Sequence, residues 1–331
     1  MKWNIAAIRG ILIYILTIVL GVSETWAQDP QFSQYYANPI YTNPAFAGSS
    51  TVGRINLNYR SQWPSISGTF RTFSASYDEH FDVINGGFGV IATADEAGVG
   101  TLRTTSVSLL YAYQINISRY ITMRAGIQAG LAQKTIDFSK LTFLDQIVKG
   151  QGIVRPTGEP PITNTVPIPN ISAGGIIYSN RFYAGFAIHN LNTPKQGFFE
   201  TEASRIPMRY TGHGGLVIPH REHRDPKKAS NFYPNILYMQ QGATSQLNLG
   251  MYYNMGPIVF GGYFRQAYQT SDAVIFLLGI RTPKVKLGFS YDATLSNVWY
   301  GAKQSYEFSL GIELRKRTPK KTARSIRCPE F

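Results

Sequence analysis

The chain has almost no cysteine. Cys328 is the only one in 331 residues, so no disulfide can form within the chain. Charge is scarce too: 15% of residues are Asp, Glu, Lys or Arg, where a soluble domain carries about 25%. Beyond residue 22 there is no long apolar run, which excludes a bundle of membrane-crossing helices. No convincing 3.6-residue apolar period follows either, so amphipathic helices are not the building blocks. A nucleophile elbow, a phosphate loop and a zinc-protease helix are all missing. The glycine-rich stretch 86–100 leads into no helix and does not support a dinucleotide site. His220 and His223 lie close together, but Arg221 and Arg224 beside them repel a cation, and the pair reads as a solvated turn. Asp95 and Glu96 fall in an expected external loop and read as a surface pair rather than an acid–base couple. These absences point away from an enzyme and call for no cofactor or metal.

What is present begins with a secretory signal. Lys2 and Arg9 precede the apolar stretch 11–22, and small residues allow cleavage after Ala27. The stretch is too short to remain as a spanning helix. The rest, from Gln28, is rich in Tyr (21), Phe (19) and Gly (31), a composition that suits a barrel with a lipid-facing outside and aromatic rims. A secreted β-sandwich would share that richness.

Two-residue alternation separates the possibilities from any helical fold. Tyr306, Phe308, Leu310, Ile312 and Leu314 fall on one face of a strand, with Ser305, Glu307, Ser309, Gly311 and Glu313 on the other. Leu247, Leu249, Met251 and Tyr253 alternate with Gln246, Asn248 and Gly250, with Asn254 on that polar face. Leu287 and Phe289 alternate with Lys286, Gly288 and Ser290, and Met123, Ala125 and Ile127 with Thr122, Arg124 and Gly126. The pattern predicts about fourteen strands, at 52–60, 70–82, 86–96, 101–116, 119–133, 172–179, 181–192, 208–219, 231–241, 244–254, 257–267, 273–282, 284–292 and 305–315. Links at 82–86, before Arg119, before Arg181, at 254–257 and at 282–283 are short and share one parity. The longest links, 134–171 and 191–207, have the other parity, and the basic link 219–228 is the one long exception on the short-turn side. Short periplasmic turns and long outer loops are the rule for outer-membrane barrels. The expectation is therefore an all-β, antiparallel transmembrane outer-membrane β-barrel over 51–315, in contact with outer-membrane lipid.

Two segments flank that barrel. Residues 28–50 carry Asn-Pro twice, at Asn38–Pro39 and Asn43–Pro44, followed by Ala45, Phe46 and Gly48. Each Pro fixes φ and restricts the residue before it, and Gly48 permits a bend into the first strand. The segment suits a plug or a periplasmic cap, or a terminus tucked against the rim. Residues 316–331 form a basic periplasmic tail. Arg315, Lys316, Arg317, Lys320, Lys321, Arg324 and Arg327 stand against one Glu and offer a positive face to an acidic periplasmic partner. Basic clusters often bind nucleic acid, but an exported protein rarely meets any, so no nucleic-acid partner is expected.

The sequence also resembles a known family. The start QDPQFSQYYANPIYTNPAFAG (28–48) is similar to the opening signature of the PorP/SprF family of type IX secretion-system membrane proteins. The resemblance continues through 136–147, 182–194, 234–253 and 288–296 to the terminal IRCPEF. It implies an outer-membrane barrel that works with the type IX secretion machinery. It further implies a role in export or surface anchoring of secreted proteins with C-terminal sorting domains, gliding-motility adhesins included. NPA (43–45) also occurs in the hatch of FadL-type channels, so a channel for hydrophobic small molecules is the alternative.

Overall fold

A computed structural model describes residues 29–50, 52–66, 68–98, 101–148, 152–158, 166–196, 205–221, 230–268, 272–295 and 304–314. The strands run in chain order as β1 (Arg54–Gln62), β2 (Phe70–Phe81), β3 (Gly86–Ala97), β4 (Leu102–Asn116), β5 (Thr122–Ile136), β6 (Ile147–Val148), β7 (Gly152–Ile153), β8 (Val166–Tyr178) and β9 (Phe182–His189). They continue as β10 (Arg209–Leu216), β11 (Ile218–Arg221), β12 (Ser230–Gln241), β13 (Thr244–Met255), β14 (Ile258–Tyr268), β15 (Ala273–Arg281), β16 (Val285–Thr294) and β17 (Gln304–Glu313). Strands β6 and β7 form a small hairpin in the longest loop. The others pair antiparallel around a ring. β1 pairs with β17, and β10 pairs with both β9 and β12, so no edge is left open. With β10 and β11 counted as one interrupted strand, this is a closed 14-strand antiparallel barrel.

Closure gives each strand of the ring a neighbour on both sides, which is what permits strands to sit in hydrocarbon. The faces follow the alternation. Phe308 is 52% exposed while Glu307 beside it is 0%, and Leu287 is 48% exposed while Lys286 is 9%. Apolar side chains point out and polar ones in, the reverse of a soluble sandwich. The links at 82–85, 117–121, 179–181, 256–257 and 282–284 all lie at one end, the turn end. Asn85 closes the first of these in the left-handed region (φ 45), which Asn tolerates well. The loop carrying β6 and β7 and the link from β9 to β10 lie at the other end, the loop end. Strands β4 and β5, 15 residues each, reach about 50 Å along the strand, more than a tilted crossing of the bilayer needs.

Three features differ from the expectations. Strand β8 starts at Val166, six residues before the predicted start, and contains Pro167 and Pro169. Ladder pairing of β8 with β9 begins only at Ala173. Ahead of that point the carbonyls of Pro169 and Ile171 face the loop residues Asn192 and Leu191, so the two prolines turn their missing donors to the side without a strand. The strand predicted at 208–219 is broken at Val217. The break lies between the pairs Gly215–Asn235 and Ile218–Phe232, opposite Pro234, which has no N–H to give. Asp95 and Glu96 belong to strand β3 rather than to a loop, and they point to opposite faces. Asp95 accepts from Thr72 Oγ1 (2.6 Å) on the lumen side, and Glu96 faces Arg103 outside.

Candidate functional site

Residues 29–50 occupy the lumen. The segment starts at the loop end, descends along the wall and leaves at the turn end, where β1 begins. It is built from three short turns: a 3-10 turn (Tyr35–Ala37), a one-turn helix α1 (Pro39–Thr42) and a second 3-10 turn (Pro44–Phe46). Pro39 and Pro44 each take the first helical position, where no N–H is needed. Asn43 caps the second 3-10 turn by accepting from Ala45 N (2.9 Å), and its own N–H donates to Pro39 O (3.0 Å). Asn38 makes no such cap and instead donates to Ser74 Oγ of β2 (2.9 Å). Gly48 bends the exit with φ 65, and a Cβ there would stand 2.5 Å from Gly87 Cα of β3. Asn38, Pro39, Asn43, Pro44, Ala45, Phe46 and Gly48 are all buried.

An irregular segment inside a barrel has backbone groups that no ladder satisfies, so the wall must supply partners. It does so at three levels. At the loop end, Asp29 pairs with Arg209 (3.2 Å) and accepts from Asn190 Nδ2 (3.0 Å). Its N–H donates to Gln241 Oε1 (2.9 Å), and Arg209 also lies over the Tyr41 ring. Lower down, the Glu307 carboxylate accepts the backbone N–H of Ser33 (2.7 Å) and of Gln34 (3.0 Å). Arg60 bridges Asp292 (2.9 Å) and Glu307 (3.2 Å), and Arg265 reaches Asp292 (3.1 Å). Ser33 Oγ donates to Asp292 (2.6 Å) and accepts from both arginines. At the turn end, Arg124 donates to Gly48 O (2.8 Å) and Ala47 O (2.5 Å), and Asp78 takes Gly48 N (2.9 Å) while pairing with Arg54 (3.0 Å). Arg54, Arg60, Arg209 and Arg265 are thus each paired with a carboxylate, and Arg124 is held by two carbonyls, the partners that let buried charge be tolerated.

The opposite wall contributes shape. Asn43 Nδ2 donates to the carbonyls of Gly175 and Phe186 (3.1 and 3.2 Å), and its amide lies 3.0 Å from His213 Nε2. His189 Nε2 lies 3.1 Å from Thr42 O. Gly126 and Gly174 lie so close to Pro44, Ala45 and Asn43 that a side chain on either would collide with the segment. Apolar contacts fill the remainder: Ile40, Ala45 and Phe46 pack on Ile91, Leu110 and Ile176, while Tyr35 and Tyr36 pack against Tyr252 and Tyr263. The lumen is therefore not purely polar. Beside this packing, Thr93, Thr104 and Ser106 present a half-buried hydroxyl wall toward the loop end.

Alternation places Arg124, Lys286, Ser290 and Glu307 on the lumen face, but it carries no signal for which of them hold residues 29–50. Arg60, Arg209, Arg265 and His213 are not singled out by any motif. His220 is not a solvated turn: it sits in β11 and packs edge-on against Phe232 and Tyr253. His223 lies outside the described residues. So do the signal-peptide stretch, with its cleavage point after Ala27, and the tail residues Arg315, Lys316, Arg317, Lys320, Lys321, Arg324 and Arg327. Among the described residues no three His, Cys, Asp or Glu side chains gather as metal ligands.

Over residues 25–312 the sequence matches the family described as type IX secretion system membrane protein PorP/SprF. No curated protein matches it. Among solved structures, the Ralstonia pickettii toluene transporter TbuX aligns with a TM-score of 0.50 at 10% identity, over 83% of this chain and 93% of that one. The TodX deltaS2S3 mutant monoaromatic hydrocarbon channel aligns with a TM-score of 0.46 at 9% identity, over 88% and 95%. At such identities the likeness to TbuX is one of fold.

Proposed function

Because the chain belongs to the PorP/SprF family, we propose that it is a plugged outer-membrane barrel supporting export or surface anchoring of proteins with C-terminal sorting domains, gliding adhesins among them. The loop end faces outward, following the rule that outer-membrane barrels keep short turns in the periplasm. The observation that carries the reading is the filled lumen. Residues 29–50 are tied to wall residues on β1, β2, β5, β8 to β10, β12, β14, β16 and β17. A passage sealed this thoroughly suits an anchor or adaptor that meets its partners at the rims. A diffusion channel for hydrophobic molecules needs an apolar cavity inside, and among the described residues the apolar groove lined by Leu57, Phe73, Leu287 and Phe308 lies on the outer wall. Cleavage after Ala27 follows export, and the basic tail from Arg315 docks on an acidic periplasmic component of the secretion machinery.

The test is deletion of the chain in its host, with proteomics of the cell surface. Proteins with sorting domains should leave the surface, return with the full chain, and fail to return with a barrel lacking residues 28–46. An unchanged surface set, together with lost uptake of hydrophobic compounds, would establish the channel instead.

A further inference from the structure

The outer wall is not uniformly convex. Across β1, β2, β3 and β17 the outward residues Leu310, Leu57, Ala75 and Ala92 stand side by side in register. The next outward position toward the loop end is Phe73 on β2 and Ala94 on β3. Three alanines beside bulky leucines and a phenylalanine leave a depression in the wall. It continues over Leu287 and Phe289 of β16 and Leu278 of β15 as one open groove of about 810 Å³, walled almost entirely by carbon. Its floor is braced from inside, because Ser74, between Phe73 and Ala75, accepts the Asn38 amide of the lumen segment (2.9 Å).

Charge lies directly above it. One outward position beyond Phe73 and Ala94, the residues in register are Arg71, Glu96 and Arg103 on β2, β3 and β4. All three project from the lipid-facing side. Arg71 is exposed, and Arg103, 54% exposed at its side chain, lies 3.8 Å from Glu96. Neighbouring strands stand about 4.8 Å apart, so the backbones that carry the two arginines lie about 10 Å apart on either side of the one that carries Glu96, and two positive charges against one negative leave a net positive patch. Successive outward positions are about 7 Å apart along a strand, which places that patch at the mouth of the depression. Guanidinium forks match phosphate oxygens in pairs.

We propose that this depression is a binding site for a phosphorylated lipid of the outer leaflet, with acyl chains lying over Ala75, Ala92 and Ala94 and phosphate held by Arg71 and Arg103. The assignment goes beyond the secretion role and rests only on the outward orientation of the loop end. Complementarity of both kinds selects the occupant. An uncharged amphiphile would leave the arginines without a ligand, and a soluble phosphate would leave the apolar wall uncovered.

The test uses the full-chain barrel in detergent micelles, with lipid A as probe and native mass spectrometry as readout. The wild type should retain one lipid A through delipidation, and dephosphorylated lipid A should be retained at least tenfold less. The double variant R71Q/R103Q should lose the preference for the phosphorylated form. A92F, which fills the depression, should lower retention of both forms at least tenfold. A75L serves the same purpose if A92F fails to give the heat-modifiable gel band of a folded barrel. Equal retention by wild type and variants, equal retention of the two lipid forms, or a second copy of the chain found on this face would overturn the proposal. None of those results would alter the surface-protein phenotype of a deletion strain.

Discussion

Replacing Glu307 should loosen the lumen segment more than any other single change. The carboxylate is fully buried and accepts two backbone N–H groups of the segment while pairing with Arg60. In Glu307→Leu, Ser33 N and Gln34 N lose their acceptor, and each unsatisfied buried donor costs about 1–3 kcal/mol. Breaking a buried ion pair from one side costs about 3–5 kcal/mol. Arg60 retains Asp292 at 2.9 Å, so the ion-pair cost is largely avoided and the two unsatisfied donors set the total, about 3 kcal/mol at about 1.5 each. With a tenfold change for every 1.4 kcal/mol, the population with residues 29–50 displaced should rise roughly a hundredfold. Single-barrel conductance in planar bilayers reads this directly: the wild type should stay closed, and the variant should show openings about a hundred times more frequent. Glu307→Gln keeps one acceptor oxygen and should fall between the two. A Glu307→Leu barrel that folds, as judged by its heat-modifiable band, yet opens as rarely as the wild type would refute the reasoning.

Other outcomes follow from the same geometry. Leu249, outward and 44% exposed at the middle of β13, should cost about 2–4 kcal/mol as Arg, whereas Thr104→Arg on the half-buried lumen wall should assemble normally; equal yields of folded barrel would invalidate the facing. Gly126→Val should push its side chain into Pro44 and Ala45 and make residues 29–50 cleavable by added protease, with protection at the wild-type level counting against the close fit. In a Cys328→Ser background, Thr157→Cys should react with an impermeant thiol reagent on whole cells while Ser179→Cys does not; the opposite result inverts the orientation. In the long loop, the Asp145 carboxylate is held below the usual range, first by the Gly158 N–H and then by the Thr157 hydroxyl. Its contribution is therefore present above the ordinary carboxylate range and lost as pH falls through the lowered value. The protection factor of the Gly158 amide should fall only in strong acid, and a loss of protection already at neutral pH would refute the link.

Strand number and facing were legible because a strand in a barrel has two solvents, and period two records which side meets which. Phe308 and Glu307 needed nothing more than their order in the chain. Strand limits were less legible where proline intervened. Pro167 and Pro169 look like breakers until their unpaired side is seen, and the consequence of Pro234 falls on a different strand, at Val217. The twin Asn-Pro motif marked 28–50 as conformationally restricted but gave no depth, because depth is fixed by partners hundreds of positions away, such as Glu307 for Ser33. The polar groups of the lumen form clusters at three levels, and a linear sequence lists their members without their edges. The outer depression depended on register between Ala75 and Ala92, which alternation alone does not set.

The junction of β1 with β17 has a consequence for biogenesis. Partners across it lie roughly 250 residues apart, so this ladder bears the largest loop-closure entropy and forms late. Residues 29–50 lead directly into β1 and touch nearly every side of the ring. Once the last strand zips to the first, they could enter only by threading a packed interior end-first. The segment that precedes the first strand must therefore wait inside an open, curling sheet, and the wall is completed around it. On this account an insertion factor that accepts the chain handles a barrel already carrying its filling, and a filling that fails to seat would leave the seam between β1 and β17 as the place where assembly stalls.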